Sequence, residues 1–210
     1  MALSPASDVS ADDVSRSLQA SRESEIIGAA LRCFRQFGMH KTTLQDVADA
    51  AGLSRATVYR YFPDRAVLLA AAADHATREM YERAAAAASR GTTLEDQVAA
   101  FVEEQVRAGV DQRARQRVRA AERDADFLET YLQRADRAAH TRMQYLKPYV
   151  EAARDRGELR DDVTVDEACE WLSIAMFSMI FWPSGEHFDA DDPKSVSRYF
   201  ARHVCRGLTA

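Results

Sequence analysis

The chain is poor in cysteine and in lysine. Its 210 residues hold three cysteines, Cys33, Cys169 and Cys205, far apart and odd in number. That excludes a disulfide framework and predicts reduced thiols acting as small core hydrophobes in a cytoplasmic protein. No Cys-x-x-Cys or Cys/His ligand spacing occurs, so no metal site is expected. Lysine stands only at 41, 147 and 194, the remaining cations being arginine; no mechanism follows from that bias. No run of about 18 apolar residues exists, which excludes a helical membrane span from the expectations. The polar, acidic N-terminus lacks the apolar core of a secretory signal. Also missing are strand alternation, internal repeats and any low-complexity tract beyond the alanine run at 84–88. There is no nucleophile elbow, phosphate loop, metal pair or spaced pair of catalytic carboxylates. Neither an enzyme nor a cofactor is expected.

What is present is helical periodicity and an uneven charge. The hydrophobic fraction of 47% suffices for a core. The whole chain carries −5, yet residues 30–62 hold Arg32, Arg35, Lys41, Arg55 and Arg60 against Asp46 and Asp49, a net +3. An acidic protein with one small basic segment presents a local positive face rather than coating nucleic acid at random. Residues 1–20 are rich in Ser, Asp and Ala and read as a mobile tail. Ser21 to Phe37 reads as an amphipathic helix with Ile26, Ile27, Ala30, Leu31, Phe34 and Phe37 on one stripe.

The most informative stretch is Thr42 to Phe62. Thr42 or Thr43 can cap a helix, and Gln45 and Asp46 lie three residues later, at capping-box spacing. Gly52 ends that helix, Leu53 fills the corner, and Ser54 caps a second helix from Arg55 to Tyr61. Ala48, Gly52 and Val58 supply the small crossing residue, the turn glycine and the β-branched packing residue of a helix-turn-helix. The second helix puts Arg55, Thr57, Tyr59, Arg60 and Tyr61 within about 10 Å of axis, which fits a major groove about 12 Å wide.

Pro63 stops the second helix, and a long helix starts at Pro63 or Asp64 and runs to about Ser89 with no flexible linker. Helices are predicted at Leu94 to about Gly109, with Val98, Phe101, Val102, Gln105 and Val106 inward, and at 111–125. Others are predicted at Asp126 to Arg156, where Pro148 should kink the chain, from Thr164 to Trp182, and from Pro193 to Gly207. The Arg-rich segment Arg113, Arg115, Arg117, Arg119, Arg123 reads as an exposed salt-bridged face, with an anion site as the rival reading. The helix Trp171 to Trp182 (WLSIAMFSMIFW) is apolar nearly all round and so needs burial on two sides. With the apolar stripe of the last helix it predicts a two-fold interface built from Ile174, Phe177, Phe181, Val196, Tyr199, Phe200 and Val204, hence a homodimer.

The stretch TTLQDVADAAGLSRATVYRYFPDRAVLLAA resembles the DNA-binding signature of TetR-family transcriptional regulators over about residues 22–70. The resemblance implies an all-α fold: an N-terminal three-helix helix-turn-helix domain (21–67, after the tail 1–20) joined by a continuous helix to a C-terminal ligand-binding and dimerisation domain (68–210). It implies that Thr43, Thr57 and Tyr61 meet phosphates and that Arg65 holds the DNA backbone. By the same resemblance Arg55, Ala56, Tyr59 and Arg60 reach base edges or the adjoining backbone. The implied partners are a double-stranded DNA operator, a second copy of the chain and a small-molecule effector. Phe101, Gln105, Tyr131, Met143, Trp171, Ala175 and Met176 are the pocket candidates, and their aromatic and methionine content suggests a hydrophobic effector. The function expected is a repressor released from a pseudo-palindromic operator. The alternative is a ligand-independent activator or architectural DNA-binding factor.

Overall fold

The computed structural model describes residues 11–39, 41–118, 135–181 and 186–210. Among them run eight helices, numbered here in chain order: α1 Ala11–Phe37, α2 Leu44–Ala51, α3 Arg55–Tyr61, α4 Arg65–Ala88, α5 Leu94–Val118, α6 Ala135–Asp155, α7 Val165–Phe181 and α8 Pro193–Cys205. No strand occurs among the described residues; one isolated antiparallel bridge joins Leu159 and Thr209. The all-α architecture expected from the sequence is the one observed. The chain divides into two compact units after Ala76, within α4.

In the first unit α1 packs on α2 and α2 on α3. The core is Ile26, Ala29, Ala30 and Cys33 of α1, Leu44, Val47 and Ala48 of α2, Val58 of α3, and Phe62 and Leu68 beyond it. Two expectations are corrected here. Residues 11–20 are helical, forming the first turns of α1, rather than tail-like. Their periodicity is weak because residues 14–20 are all exposed and nothing apolar is required of them. Phe37 leaves the predicted stripe and is 46% exposed, because the inward face of α1 is set by Ile26, Ala29, Ala30 and Cys33.

In the second unit α5 packs chiefly against α8, and α6 against α7. The shared core includes Tyr81, Leu94, Val98, Phe101, Val102, Val106, Leu146, Val150, Leu172, Met176, Val196 and Phe200. Leu94 begins α5 with its backbone N–H donated to Glu158 Oε2 at 2.7 Å. Partial burial raises the Glu158 carboxyl, but the hydrogen bond from Arg156, then that from Leu94, outweigh it together and keep it below its usual range. The chain end is clipped back by Arg160 N–H to Leu208 C=O and Ala210 N–H to Glu158 C=O, at 2.9 and 3.1 Å. A third correction concerns α5, which passes through Gly109 and continues to Val118 instead of stopping there. Gly109 costs helix stability but does not end it, since a glycine terminates a helix by taking a left-handed conformation and none is recorded at 109. Of the long helix expected from Asp126, the part from Ala135 to Asp155 is described, with Pro148 inside it. No helix among the described residues is long and apolar enough to cross a membrane.

Candidate nucleic-acid interface

The helix-turn-helix is built by its caps. Thr43 is the N-cap of α2, in extended backbone conformation, and Asp46 is its reciprocal partner. The Thr43 hydroxyl accepts from Asp46 N–H at 3.2 Å and donates to Asp46 Oδ2 at 2.8 Å, while Thr43 N–H donates to the same carboxylate oxygen at 2.8 Å. The Thr43 backbone N–H first, and its hydroxyl second, hold the Asp46 carboxyl below the usual carboxylate range. Thr42 does different work: it is buried, and its hydroxyl donates to Gly38 C=O at 2.8 Å, closing the end of α1.

Gly52 follows α2 at φ +66°, and the N–H groups of Gly52 and Leu53 reach back to Asp49 and Ala48 carbonyls at 3.2 and 2.9 Å. That left-handed residue turns the chain sharply enough for Ser54 to cap α3 three residues after α2 ends. The Ser54 hydroxyl oxygen accepts from Thr57 N–H at 3.1 Å and lies 2.8 Å from Thr57 Oγ1. Val58 is fully buried and Phe62 is 5% exposed, so α3 is fixed by one face.

The other face of α3 points outward. Arg55, Ala56, Tyr59 and Arg60 are all exposed, and Thr57 is half-buried at the edge. Arg55 and Tyr59, one turn apart, form a unit: Arg55 Nη2 donates to Tyr59 Oη at 3.0 Å, and the guanidinium carbon lies 5.0 Å from the Tyr59 ring centre. Arg60 stacks over Tyr61 at 5.3 Å. Tyr61 itself is half-buried against the unit's core. The result is a short, pre-ordered cationic and aromatic ridge on a rigid base. A guanidinium there can offer a fork of donors to guanine O6 and N7 or to a phosphate.

Arg65 is engaged elsewhere. Its Nε donates to Thr42 C=O at 3.1 Å and its Nη2 to Met39 C=O, pinning the α1–α2 connection to the start of α4. A guanidinium has five donors, so this positioning role leaves it further donors for an external anion.

The residues proposed from the sequence for a pocket are only partly brought together. Phe101 and Met176 are fully buried, Gln105 is 2% exposed, and Met143 and Ala175 pack on the same core. Gln105 Nε2 donates to Met176 Sδ at 3.8 Å. Trp171 stands apart, 49% exposed on the outer side of α7. Tyr131 lies outside the described residues, as do Arg119 and Arg123; the side chains of Arg113, Arg115 and Arg117 are likewise not among those described.

The interface residues also split. Ile174 is 56% exposed, while Phe177, Tyr199 and Val204 are half-buried. The Phe181 side chain is outside the described set. Val196 and Phe200 are corrected: at 0% and 2% exposure they belong to the subunit's own core, because α8 turns them onto α5.

Sequence reasoning missed one residue altogether. Arg142 on α6 is 2% exposed. It stands four residues before Leu146 and eight before Val150, both buried, so the signal was a charge placed on an apolar stripe.

Residues 26–72 match the profile of bacterial regulatory proteins of the tetR family. Over 77 residues the chain is 39% identical to an HTH-type transcriptional repressor of Mycobacterium tuberculosis, a match covering 37% of this chain and 39% of that protein. Over 54 residues it is 41% identical to the HTH-type transcriptional regulator RutR of Escherichia coli, covering 26% of this chain and 25% of RutR. The chain therefore spans well under half the length of these curated relatives. A crystal structure of a TetR-family transcriptional regulator from Pectobacterium atrosepticum shares the fold with a TM-score of 0.65 at 16% identity, over 93% of this chain and 97% of that one.

Proposed function

We propose that the chain is a DNA-binding transcriptional repressor of the TetR family, whose profile residues 26–72 match, working as a homodimer on a pseudo-palindromic operator and released by a small, largely apolar molecule. The observation that carries this reading is the outward face of α3. Arg55, Ala56, Tyr59 and Arg60 are exposed on a helix whose opposite face, through Val58, is locked into the core. The N-terminus of α2 offers a second helix end for a phosphate, which Thr43 would meet by giving up its bonds to Asp46. In the proposed complex Thr43, Thr57 and Tyr61 take phosphates, Arg65 holds the backbone, and Arg55 reads a base pair from the Tyr59 platform. Phosphate neutralisation supplies most of the affinity and makes it fall steeply with salt.

Repression by release requires the effector to bind the DNA-free form more tightly than the DNA-bound form. A coupling of about 1–3 kcal/mol, roughly 5–150-fold in operator affinity, is the usual scale. The interior of the second unit around Phe101, Gln105, Met143 and Met176 is the proposed seat. The test of DNA reading is Arg55→Ala, measured by fluorescence polarisation on an operator selected from random duplexes and on unrelated DNA. The expected loss is about 1–3 kcal/mol on the operator, with one base position relaxed, and much less on random DNA. Equal losses on both would make Arg55 a backbone contact and remove it from sequence reading.

A further inference from the structure

The interior of the second unit holds a buried charge whose partners are neutral and a buried amide oxygen with no partner. The first is Arg142, a permanently charged side chain only 2% exposed. Its Nε donates to Tyr81 Oη at 3.3 Å and its Nη1 to Ser173 C=O at 2.7 Å. Both partners are neutral, and among the described residues no carboxylate forms an ion pair with it. Buried charges are ordinarily paired, because neutral acceptors return only part of the lost hydration. The second is Gln105, also 2% exposed: its Oε1 is buried with no hydrogen-bond partner, and its Nε2 has only the weak thioether acceptor of Met176.

A short chain of contacts links the two groups. Arg142 holds the Ser173 carbonyl and Gln105 the Met176 sulfur, three residues apart on α7, where both side chains are buried. Arg142 also grips Tyr81, whose ring stacks on Phe101 with centres 6.0 Å apart, and Phe101 is one turn before Gln105 on α5. Helices α4, α5, α6 and α7 thus bring a cation and a bare acceptor to one aromatic and thioether-lined interior.

We infer that the effector of this protein is an apolar carboxylic acid bearing a second, hydrogen-bond-donating group, its carboxylate paired with Arg142 and its donor on Gln105 Oε1. This rests on the reading of the second unit as an effector-binding domain and narrows it from a hydrophobic molecule to an acidic one. An isolated structural arginine needs no such arrangement: a neutral donor would serve Tyr81 and Ser173 equally, without a charge to bury. Nor does core packing account for an orphan amide oxygen, which a leucine at position 105 would remove.

The experiment uses the full chain and two matched pairs of probes, N-decanoylglycine and N-phenylacetylglycine, each beside its neutral glycinamide. Thermal shift and release of a fluorescent operator are read in parallel. The expected result is that an acid raises the melting temperature and weakens operator binding while its amide does neither. Arg142→Gln, verified as folded by circular dichroism, should weaken acid binding by about tenfold or more, and Gln105→Leu should weaken it while leaving the acid-over-amide preference. Arg142→Met supplies an independent readout: with the charge gone, the ligand-free protein should melt no lower than the parent, as replacing a poorly paired buried ion by an apolar side chain allows. Amides acting as well as acids would overturn the acidic class while keeping an effector site. An acid response undiminished in Arg142→Gln would overturn the role of Arg142. No response to any probe, with Arg142→Met melting lower, would overturn the site and the effector reading it rests on.

Discussion

At the residue scale, Thr43 joins stability to recognition. Its hydroxyl is both acceptor from and donor to Asp46, so Thr43→Ala removes the side-chain half of the capping box and leaves the backbone N–H at position 43 on Asp46 Oδ2. The expected cost is about 1 kcal/mol of unfolding free energy, measured by urea titration at neutral pH. The pH dependence has a definite sign. Asp46 has a folded-state value below its ordinary 3.8, so its contribution is complete above 3.8 and is lost as the pH falls through the lower folded value. Thr43→Ala keeps the backbone N–H that is the larger cause, so the gap between it and the parent should narrow below pH 3.8 by the hydroxyl's share alone and stay constant above it. The cysteines give a second residue-level test. Burial pushes Cys169 up to about 11 and Cys205 up to about 12, and burial with the nearby Asp46 charge raises Cys33 as well. At pH 8 the Cys169 thiolate is about one part in a thousand, so iodoacetamide should label none of the three until urea unfolds the chain. Rapid native labelling, seen by mass spectrometry, would contradict their burial.

At the element scale, the turn between α2 and α3 depends on Gly52. An added Cβ at Gly52 would meet nothing within 4 Å, so the cost of Gly52→Ala is conformational alone. At φ +66° that cost is about 1–2 kcal/mol, expected as a lower urea midpoint with an unchanged slope. A much larger loss would mean the turn had re-formed. The same element explains what could be read in advance. Thr43, Gly52 and Ser54 act through neighbours three or four residues away, so the helix-turn-helix is written locally and was legible. The first turns of α1 were not, because residues 14–20 are all exposed and are tied only by local contacts such as Gln19 with Glu23 at 3.3 Å, which leave no apolar stripe. The end of α5 was misread because a glycine signals a stop only where the backbone turns left-handed. Arg142 was invisible for a further reason. A charged side chain is assigned to solvent by type, and its burial depends on Tyr81 and Ser173, 61 and 31 residues away in sequence.

At the scale of the whole molecule, the outer face of α7 decides whether the chain works alone. Leu172, Ser173 and Met176 are buried, while Trp171 at 49% and Ile174 at 56% exposure stand on the opposite side, three residues apart. Nothing within the subunit's described residues uses that apolar pair, and a DNA reader of seven residues in α3 reaches only a short stretch of groove by itself. The proposed second copy, seated on Trp171 and Ile174, would answer both points. Ile174→Glu should then leave the helical circular dichroism of the protomer intact, since the side chain already meets solvent and exposed substitutions shift stability by about 0.5 kcal/mol or less. The same change should halve the mass seen by light scattering and abolish the dependence of melting temperature on protein concentration. Operator affinity should fall with it, because the second half-site is no longer bound in the same event. Leu172→Ala is the contrasting variant: it opens the core and should cost about 2–5 kcal/mol in any oligomeric state. A dimeric mass retained by Ile174→Glu would place the interface elsewhere. A monomeric mass in the parent would leave the α7 face without the partner proposed for it.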